Sequence, residues 1–250
     1  MEVNLEGKDI LVTGATRGIG KAIATALMNS GARVGIHYNS SKEIAEEMTS
    51  LGKGFALQAD LSSWEDSSQL VEDFISRAGK MDSIILNAGI AIQSSMDKSD
   101  EDWTKDWELT MSANLTSSAI LSKKSIAHFR KTNGGIIISI ISRAAHRGDT
   151  PDYMAYAASK AGMAALSKSI ARAYGKEGII SFCLAPGFTR TDMAQDFIDK
   201  YGEAYAASDI ALSRMTEPED IAPMVVLLAS GMANHATGST FDFNAGSYIR

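Results

Sequence analysis

The chain has 250 residues, 45% of them hydrophobic, one cysteine and a formal charge of −6. That length suits one large α/β domain with a sizeable core, and the apolar share excludes disorder as the main state. The acidity leaves no electrostatic footprint for nucleic acid or an anionic membrane, and the lone Cys183 excludes an internal disulfide and points to the cytoplasm.

Residues 1–8 are polar and too short for a secretion signal, and no apolar run approaches the roughly 20 residues of a membrane span. From there short β-branched runs alternate with longer helical stretches, a rhythm that predicts a parallel sheet covered on both faces. The first predicted strand, 9–13, runs into Thr13-Gly14-Ala15-Thr16-Arg17-Gly18-Ile19-Gly20, which opens a helix over 19–28. Glycines let the backbone turn sharply beside a ligand, and the helix N-terminus then offers free N–H groups to a pyrophosphate. The spacing is Gly-x-x-x-Gly-x-Gly rather than the common Gly-x-Gly-x-x-Gly, and a merely flexible loop is the other reading. Gly31 and Gly52 read as helix C-caps.

The second strand, 33–37, leaves through Tyr38-Asn39-Ser40, with no carboxylate before Glu43. An acidic residue there binds a ribose 2′-hydroxyl and repels a 2′-phosphate. Its absence, with Arg17 placed to pair with a 2′-phosphate and Asn39 or Ser40 to donate to it, favours NADP(H) over NAD(H). A solvated Arg17 beside a neutral turn is the alternative. Ser40 to Glu43 and Ser62 to Glu65 have the form of capping boxes. Strands at 54–58, 82–86, 135–141, 178–184 and 239–243 follow, the fifth behind an Asn133-Gly134-Gly135 turn.

Trp103 and Trp107, four apart, are expected to pack against a neighbouring helix or subunit. Ser142 stands at the exit of the fifth strand, the end where open α/β sheets bind ligands, whereas Ser139 sits inside an apolar run. In the helical stretch 153–174, Tyr156-Ala157-Ala158-Ser159-Lys160 sets a phenol and an ammonium on one face. The Lys160 charge, with an oxidised nicotinamide ring, is expected to lower the phenol from about 10 and make it a general acid/base. A second Tyr-x-x-x-Lys, Tyr38 to Lys42, straddles a strand end and need not share a face. Arg143, His146 and Arg147 either bind an anionic or hydroxylated substrate or lie in solvent or at a subunit interface. Over 188–212 no strand appears, and Met193, Phe197, Tyr201 and Tyr205 recur every four residues. That stripe packs on the core, forms a substrate lid, or does both. The four histidines are scattered, so no metal is expected, and without linker or repeat the chain reads as one domain, 1–250.

Taken in order, Thr13-Gly14-x-x-x-Gly18-x-Gly20, Asp60-Leu61, Asn87-Ala88-Gly89, Asn114, Ser142, Tyr156-x-x-x-Lys160 and Pro186-Gly187-x-x-x-Thr191 resemble the short-chain dehydrogenase/reductase superfamily over essentially the whole chain. The resemblance implies an α/β, doubly wound single-domain Rossmann fold with a seven-stranded parallel sheet, assembled as a homotetramer or dimer. It implies Tyr156 as general acid/base, Ser142 polarising the substrate oxygen, Lys160 on the nicotinamide ribose, and Asn114 holding a water that relays protons to Lys160. Gly14, Thr16, Arg17, Gly18, Ile19 and Gly20 would cradle the phosphates, with Tyr38, Asn39 and Ser40 beside the 2′-phosphate. Asp60 and Leu61 would meet the adenine, Asn87-Ala88-Gly89 the adenosine ribose, and Pro186-Gly187 with Thr189 and Thr191 the nicotinamide carboxamide. Leu86 departs from the family's usual Asn, Ile141-Ser142 from its Ser-Ser pair, and Ser142 lies one residue further from Tyr156 than is commonest.

Within the superfamily the chain is similar to 3-oxoacyl-(acyl carrier protein) reductases and to sugar or polyol dehydrogenases. Both imply hydride transfer between NADP(H) and a carbonyl or secondary alcohol. An acidic carrier protein calls for a basic patch at the pocket mouth, to which Arg130-Lys131 would contribute and which Glu177 and the net charge oppose. A silent cofactor-binding regulatory or scaffold protein is the alternative, opposed by the complete Ser142, Tyr156 and Lys160 set. Epimerisation or dehydration would need a larger substrate region than 188–212.

Overall fold

Runs rich in Ile, Val and Leu form seven strands in the computed structural model, which describes residues 3–202 and 209–250. They are β1 (Asp9–Val12), β2 (Arg33–Tyr38), β3 (Gly54–Gln58), β4 (Ser83–Leu86), β5 (Gly135–Ile140), β6 (Ile179–Pro186) and β7 (Thr240–Phe243). The helices are α1 (Gly18–Asn29), α2 (Lys42–Thr49), α3 (Trp64–Ala78), α4 (Asp100–Met111), α5 (Ser117–Phe129), α6 (Ala144–Arg147), α7 (Met154–Tyr174), α8 (Asp192–Tyr201) and α9 (Pro218–Ala229). A wide π-helical turn, Ser112–Thr116, joins α4 to α5 without a break.

All strands pair in parallel, in the order β3-β2-β1-β4-β5-β6-β7. This is the doubly wound Rossmann arrangement. The chain builds outward from β1 to β3 and returns to lay β4 on the other side of β1, so the order reverses between β1 and β4 and opens a crevice at their carboxyl ends. Both faces are covered, and successive side chains alternate between them. Ile10 and Val12 face one layer, with Ile23 and Leu27 of α1 and Ile221 and Val225 of α9; Leu11 faces the other, with Phe74 of α3, Phe129 of α5 and Met163 of α7.

The local signals hold in part. Gly31 takes a left-handed φ of +95° after α1, but Gly52 does not adopt that conformation and packs on Met28 instead. Neither expected capping box forms as spaced. Asp60 Oδ1 holds the N–H and hydroxyl of Ser62, so Ser63 caps α3 by accepting the Asp66 N–H at 3.1 Å. Helix α2 begins after Ser41 with no side-chain cap. In the segment 188–212, Ala194 and Ile198 of α8 pack with Phe188, Ile210 and Met215 in a cluster of their own, away from the sheet's two cores. Of the expected stripe, the side chains of Met193, Phe197 and Tyr201, and Tyr205 altogether, lie outside the described residues. Cys183 is buried in β6.

A Cβ on Gly35, in the middle of β2, would lie 2.5 Å from the ring of Phe74, which is fully buried and has nowhere to retreat. Gly35→Ala is expected to cost about 1–3 kcal/mol by overpacking, seen as a melting point lower by roughly 2–4 °C per kcal/mol. An unchanged melt would mean that this layer yields freely.

Candidate active site

Two loops at the crevice are bonded to each other. The Thr13 hydroxyl accepts the N–H groups of Asn87 (2.9 Å) and Ala88 (3.0 Å) and donates to the Ile85 carbonyl (3.1 Å). Asn87 returns the contact, its Nδ2 donating to the carbonyls of Thr13 (2.9 Å) and Gly14 (3.0 Å). Both Asn87 amide hydrogens are therefore spent inside the protein, and the backbone at Ala88 and Gly89 is left to lie along a ligand. A Cβ on Gly20 would overlap the Gly14 carbonyl and Asn87 Nδ2. Gly18 is turned to φ +49°, with Thr191 3.1 Å from where its Cβ would stand.

Helix α1 starts with no side-chain cap, whereas Ser63 and Ser99 cap α3 and α4. Its first N–H groups remain free for an anion. Arg17, at the N-cap, is exposed with no partner among the described residues, while Thr16 is buried and Ile19 half-buried at the root of the turn. Tyr38 ends β2 half-buried, Asn39 and Ser40 are exposed, and no acidic residue intervenes before Glu43. Asp60 spends Oδ1 on the Ser62 N–H (2.9 Å) and hydroxyl (2.7 Å), bonds that lower its pKa, and keeps Oδ2 for an outside donor beside buried Leu61. Uncapped N–H groups and a free guanidinium fit the phosphates of a dinucleotide.

One contributor was not legible as functional in the sequence. His37, 2% exposed, accepts the Gly14 N–H on Nδ1 at 2.9 Å, and its Nε2 meets the Ala59 carbonyl at 3.2 Å. These bonds require the neutral Nε2–H tautomer. Burial holds it neutral, lowering its pKa to about 4. His37 thereby fixes the glycine turn against the exits of β2 and β3.

The candidate proton-transfer residues gather at the end of β5. Ser142 accepts the Ala144 N–H at 3.1 Å and stands beside the Tyr156 phenol, whose pKa it lowers. Lys160, one turn along α7 and 3% exposed, donates to the Ile140 carbonyl at 2.9 Å, with Nζ 5.8 Å from the centre of the Tyr156 ring. Burial brings Lys160 down to about 8, so it still carries most of its charge at neutral pH. The Tyr156 phenol moves up from its ordinary value. Burial raises its pKa, Asp149 adds to the rise, and Ser142 opposes it only in part. Here the cost of a buried phenolate outweighs a cation whose Nζ is directed at a backbone carbonyl.

Asn114, 0% exposed, sits on the π-helical turn. Its Oδ1 accepts the Ile90 N–H (2.8 Å), and Nδ2 donates to the Ile90 carbonyl (2.9 Å) and Ser159 (3.0 Å). A Cβ on Gly89 would stand 3.2 Å from both Asn114 Oδ1 and Lys160 Nζ, which links the cofactor-side loop to the catalytic groups. After β6, Gly187 donates to the Phe243 carbonyl, Thr189 Oγ1 to Gly187 (3.2 Å) and Thr191 Oγ1 to Thr189 (3.4 Å), so Pro186–Thr191 folds back toward Gly18.

Other expected groups fall elsewhere. Arg130 and Lys131 follow α5, before β5 begins, at the opposite end of the sheet from the site, and Arg130 is paired with Glu177 at 2.6 Å. They form no patch at the pocket mouth. His146, whose N–H donates to the Arg143 carbonyl, lies within the fields of Arg250, Asp242 and Lys168. Trp103 and Trp107 stack with ring centres 5.2 Å apart beside Pro151, Met154 and Ala155.

A family model described as "Enoyl-(Acyl carrier protein) reductase" matches residues 14–247. The chain is 35% identical over 254 residues, spanning 99% of this chain and 100% of the relative, to the 3-oxoacyl-[acyl-carrier-protein] reductase FabG of Vibrio harveyi. Among solved structures it is similar to the NADPH-dependent 3-quinuclidinone reductase from Rhodotorula rubra (TM-score 0.91, 26% identity, 99% of this chain and 93% of that one). It is also similar to the Pseudomonas aeruginosa RhlG/NADP active-site complex (TM-score 0.90, 26% identity, 98% of each chain).

The folded state holds His37 neutral, whereas an unfolded chain protonates it near its ordinary value of 6.5. This contribution, about 3 kcal/mol at most, is present in full above pH 6.5 and is lost as the pH falls through about 4. His37→Asn keeps an acceptor for Gly14 and is expected to flatten that acid limb in urea unfolding while preserving dinucleotide affinity. His37→Leu, with no acceptor, is expected to weaken the affinity. An acid limb unchanged in His37→Asn would assign it to other groups.

Proposed function

The chain belongs to the short-chain dehydrogenase/reductase family, nicotinamide-dependent oxidoreductases acting on CH–OH and C=O groups, and on that premise we propose an NADPH-dependent ketone reductase with Tyr156 as its proton donor. The observation that carries this reading is the meeting of Ser142 and Tyr156 at the carboxyl end of β5, where the serine lowers the phenol's pKa, with Lys160 buried one turn away and donating to the Ile140 carbonyl. The nicotinamide, when bound, supplies the hydride. Tyr156 keeps its proton at neutral pH because burial and Asp149 both disfavour the phenolate. That state suits reduction, in which a carbonyl oxygen gaining negative charge takes up a proton. Alcohol oxidation needs the phenolate and is favoured by alkali. Ser142 holds the same oxygen, and Lys160 places a charge beside the nicotinamide ribose. Asn114 is assigned the proton relay toward Lys160 from its place across Gly89.

Preference for NADP(H) is supported by the unpartnered Arg17 and the neutral exit of β2. The substrate is a small carbonyl compound, for which the resemblance offers the 3-oxoacyl thioester and the sugar or polyol types. The relative's name favours the former, while the position of Arg130 and Lys131 removes one support for a carrier-bound form. A lid over 188–212 is supported by the separate cluster that α8 builds. A homotetramer or dimer is supported by the exposed Leu109 on the tryptophan-bearing helix α4, and a cytoplasmic location by the lone, buried Cys183. Among the described residues no helix is long and apolar enough to cross a membrane. The silent-scaffold alternative is set aside on family membership.

Tyr156→Phe is expected to lower turnover roughly 10²–10⁴-fold with NADPH affinity nearly intact in a fluorescence titration. Near-normal turnover on an established ketone would dismiss Tyr156 as the acid. Arg17→Ala is expected to weaken NADPH binding roughly 10- to 100-fold and leave NADH binding unchanged. An equal loss for both would assign Arg17 to the shared pyrophosphate. In the wild type, reduction is expected to hold near neutral pH while alcohol oxidation rises into alkali, read from initial rates in both directions.

A further inference from the structure

Arg143 follows Ser142 directly. Its N–H donates to the Pro186 carbonyl at 2.9 Å, which seats the residue between the serine end of β5 and the turn after β6. Its side chain is only 11% exposed. Nη1 lies 2.9 Å from Asp209 Oδ2, and Nη1 of Arg147, one turn on, lies 3.4 Å from the same oxygen. One carboxylate oxygen therefore answers two guanidinium groups, and the remaining N–H donors of both have no partner among the described residues. Asp149 adds negative field toward Arg143 and Tyr156 without bonding either, its Oδ1 accepting the Thr150 N–H at 2.8 Å. A largely buried cation is costly unless an anion meets it, and planar guanidinium forks match a carboxylate with two bonds each. Asp209, being 40% exposed, uses only one oxygen.

Resting on the ketone-reductase reading and deepening it, we propose that Arg143 and Arg147 form a carboxylate subsite of the substrate pocket. Asp209 is its internal stand-in, and the substrate is a free oxo acid, reduced to the hydroxy acid, whose carboxylate takes the place of Asp209. Arg143 follows Ser142 in the chain, which puts the subsite at the serine end of β5. Hydride comes from NADPH and the proton from Tyr156, as for any ketone of the class.

The subsite predicts opposite effects from its two sides. With NADPH, a panel of 3-, 4- and 5-oxo acids, their methyl esters and a phosphorylated ketone is assayed for kcat/KM, and the acid-over-ester ratio is the readout. Arg143→Lys, which keeps the charge and loses the fork, and Arg147→Gln are expected to lower that ratio at least tenfold. Asp209→Asn, which frees both arginines, is expected to raise it severalfold. A latch that merely holds the loop would instead make Asp209→Asn lower activity on acid and ester alike, and that result, or an unchanged ratio, overturns the subsite. Preference for the phosphorylated ketone over every acid overturns the carboxylate assignment. Turnover of no member by the wild type counts against the ketone-reductase reading. In that case calorimetric titration of acid and ester into the NADP⁺-saturated protein still decides the subsite, since Asp209→Asn must tighten the acid alone.

Discussion

The Thr13 hydroxyl, shared among three backbone groups of the β4 exit, is the constraint on which the site depends. The ladder that pairs β1 with β4 ends at the Thr13 N–H on the Ile85 carbonyl, and beyond it side chains must fix the two departing loops against each other. Thr13 and Asn87 do so with neutral hydrogen bonds in a partly buried place, where a lost partner leaves a costly orphan. Once they are tied, the approach of Gly20 to the Gly14 carbonyl sets the start of α1. The same tie carries Gly89 to Asn114 and Lys160. Cofactor cradle and proton-transfer groups are thus parts of one bonded unit.

Around that unit, burial decides the protonation states. His37 is kept neutral by burial so that it can accept from Gly14. Tyr156 is kept protonated by burial and by Asp149. Lys160, brought down only to about 8 by burial, remains mostly charged while its ammonium donates to the Ile140 carbonyl. Each group rests in one form near neutrality, and each form suits binding a dinucleotide and giving up a phenolic proton.

Much of this was legible in the sequence, because strand-helix rhythm and glycine spacing are local. All seven strands form close to their expected limits, and Tyr156 and Lys160 share a face because four residues on a helix bring them round. What was not legible depends on partners far apart in the chain. His37 read as one of four scattered histidines, since Gly14 and Ala59 reach it only through the register of β1, β2 and β3. The capping motif at Ser62 slipped to Ser63 because Asp60 had already claimed Ser62. The upward push of burial on Tyr156 was not legible, because spacing shows the nearness of a cation but neither its direction nor the depth of burial.

The π-helical turn at Ser112–Thr116 is in effect a single extra residue absorbed into one continuous rod. The hydroxyls of Ser117 and Ser118, bonding the carbonyls of Ala113 and Asn114 at 2.6 Å each, make good the ladder bonds that the bulge distorts. Deleting one residue there would restore ordinary winding and rotate everything on its amino side by about 100° relative to α5. Asn114 and the tryptophan pair could not then both keep their facings, so the bulge phases the outer surface of α4 to the interior of the site.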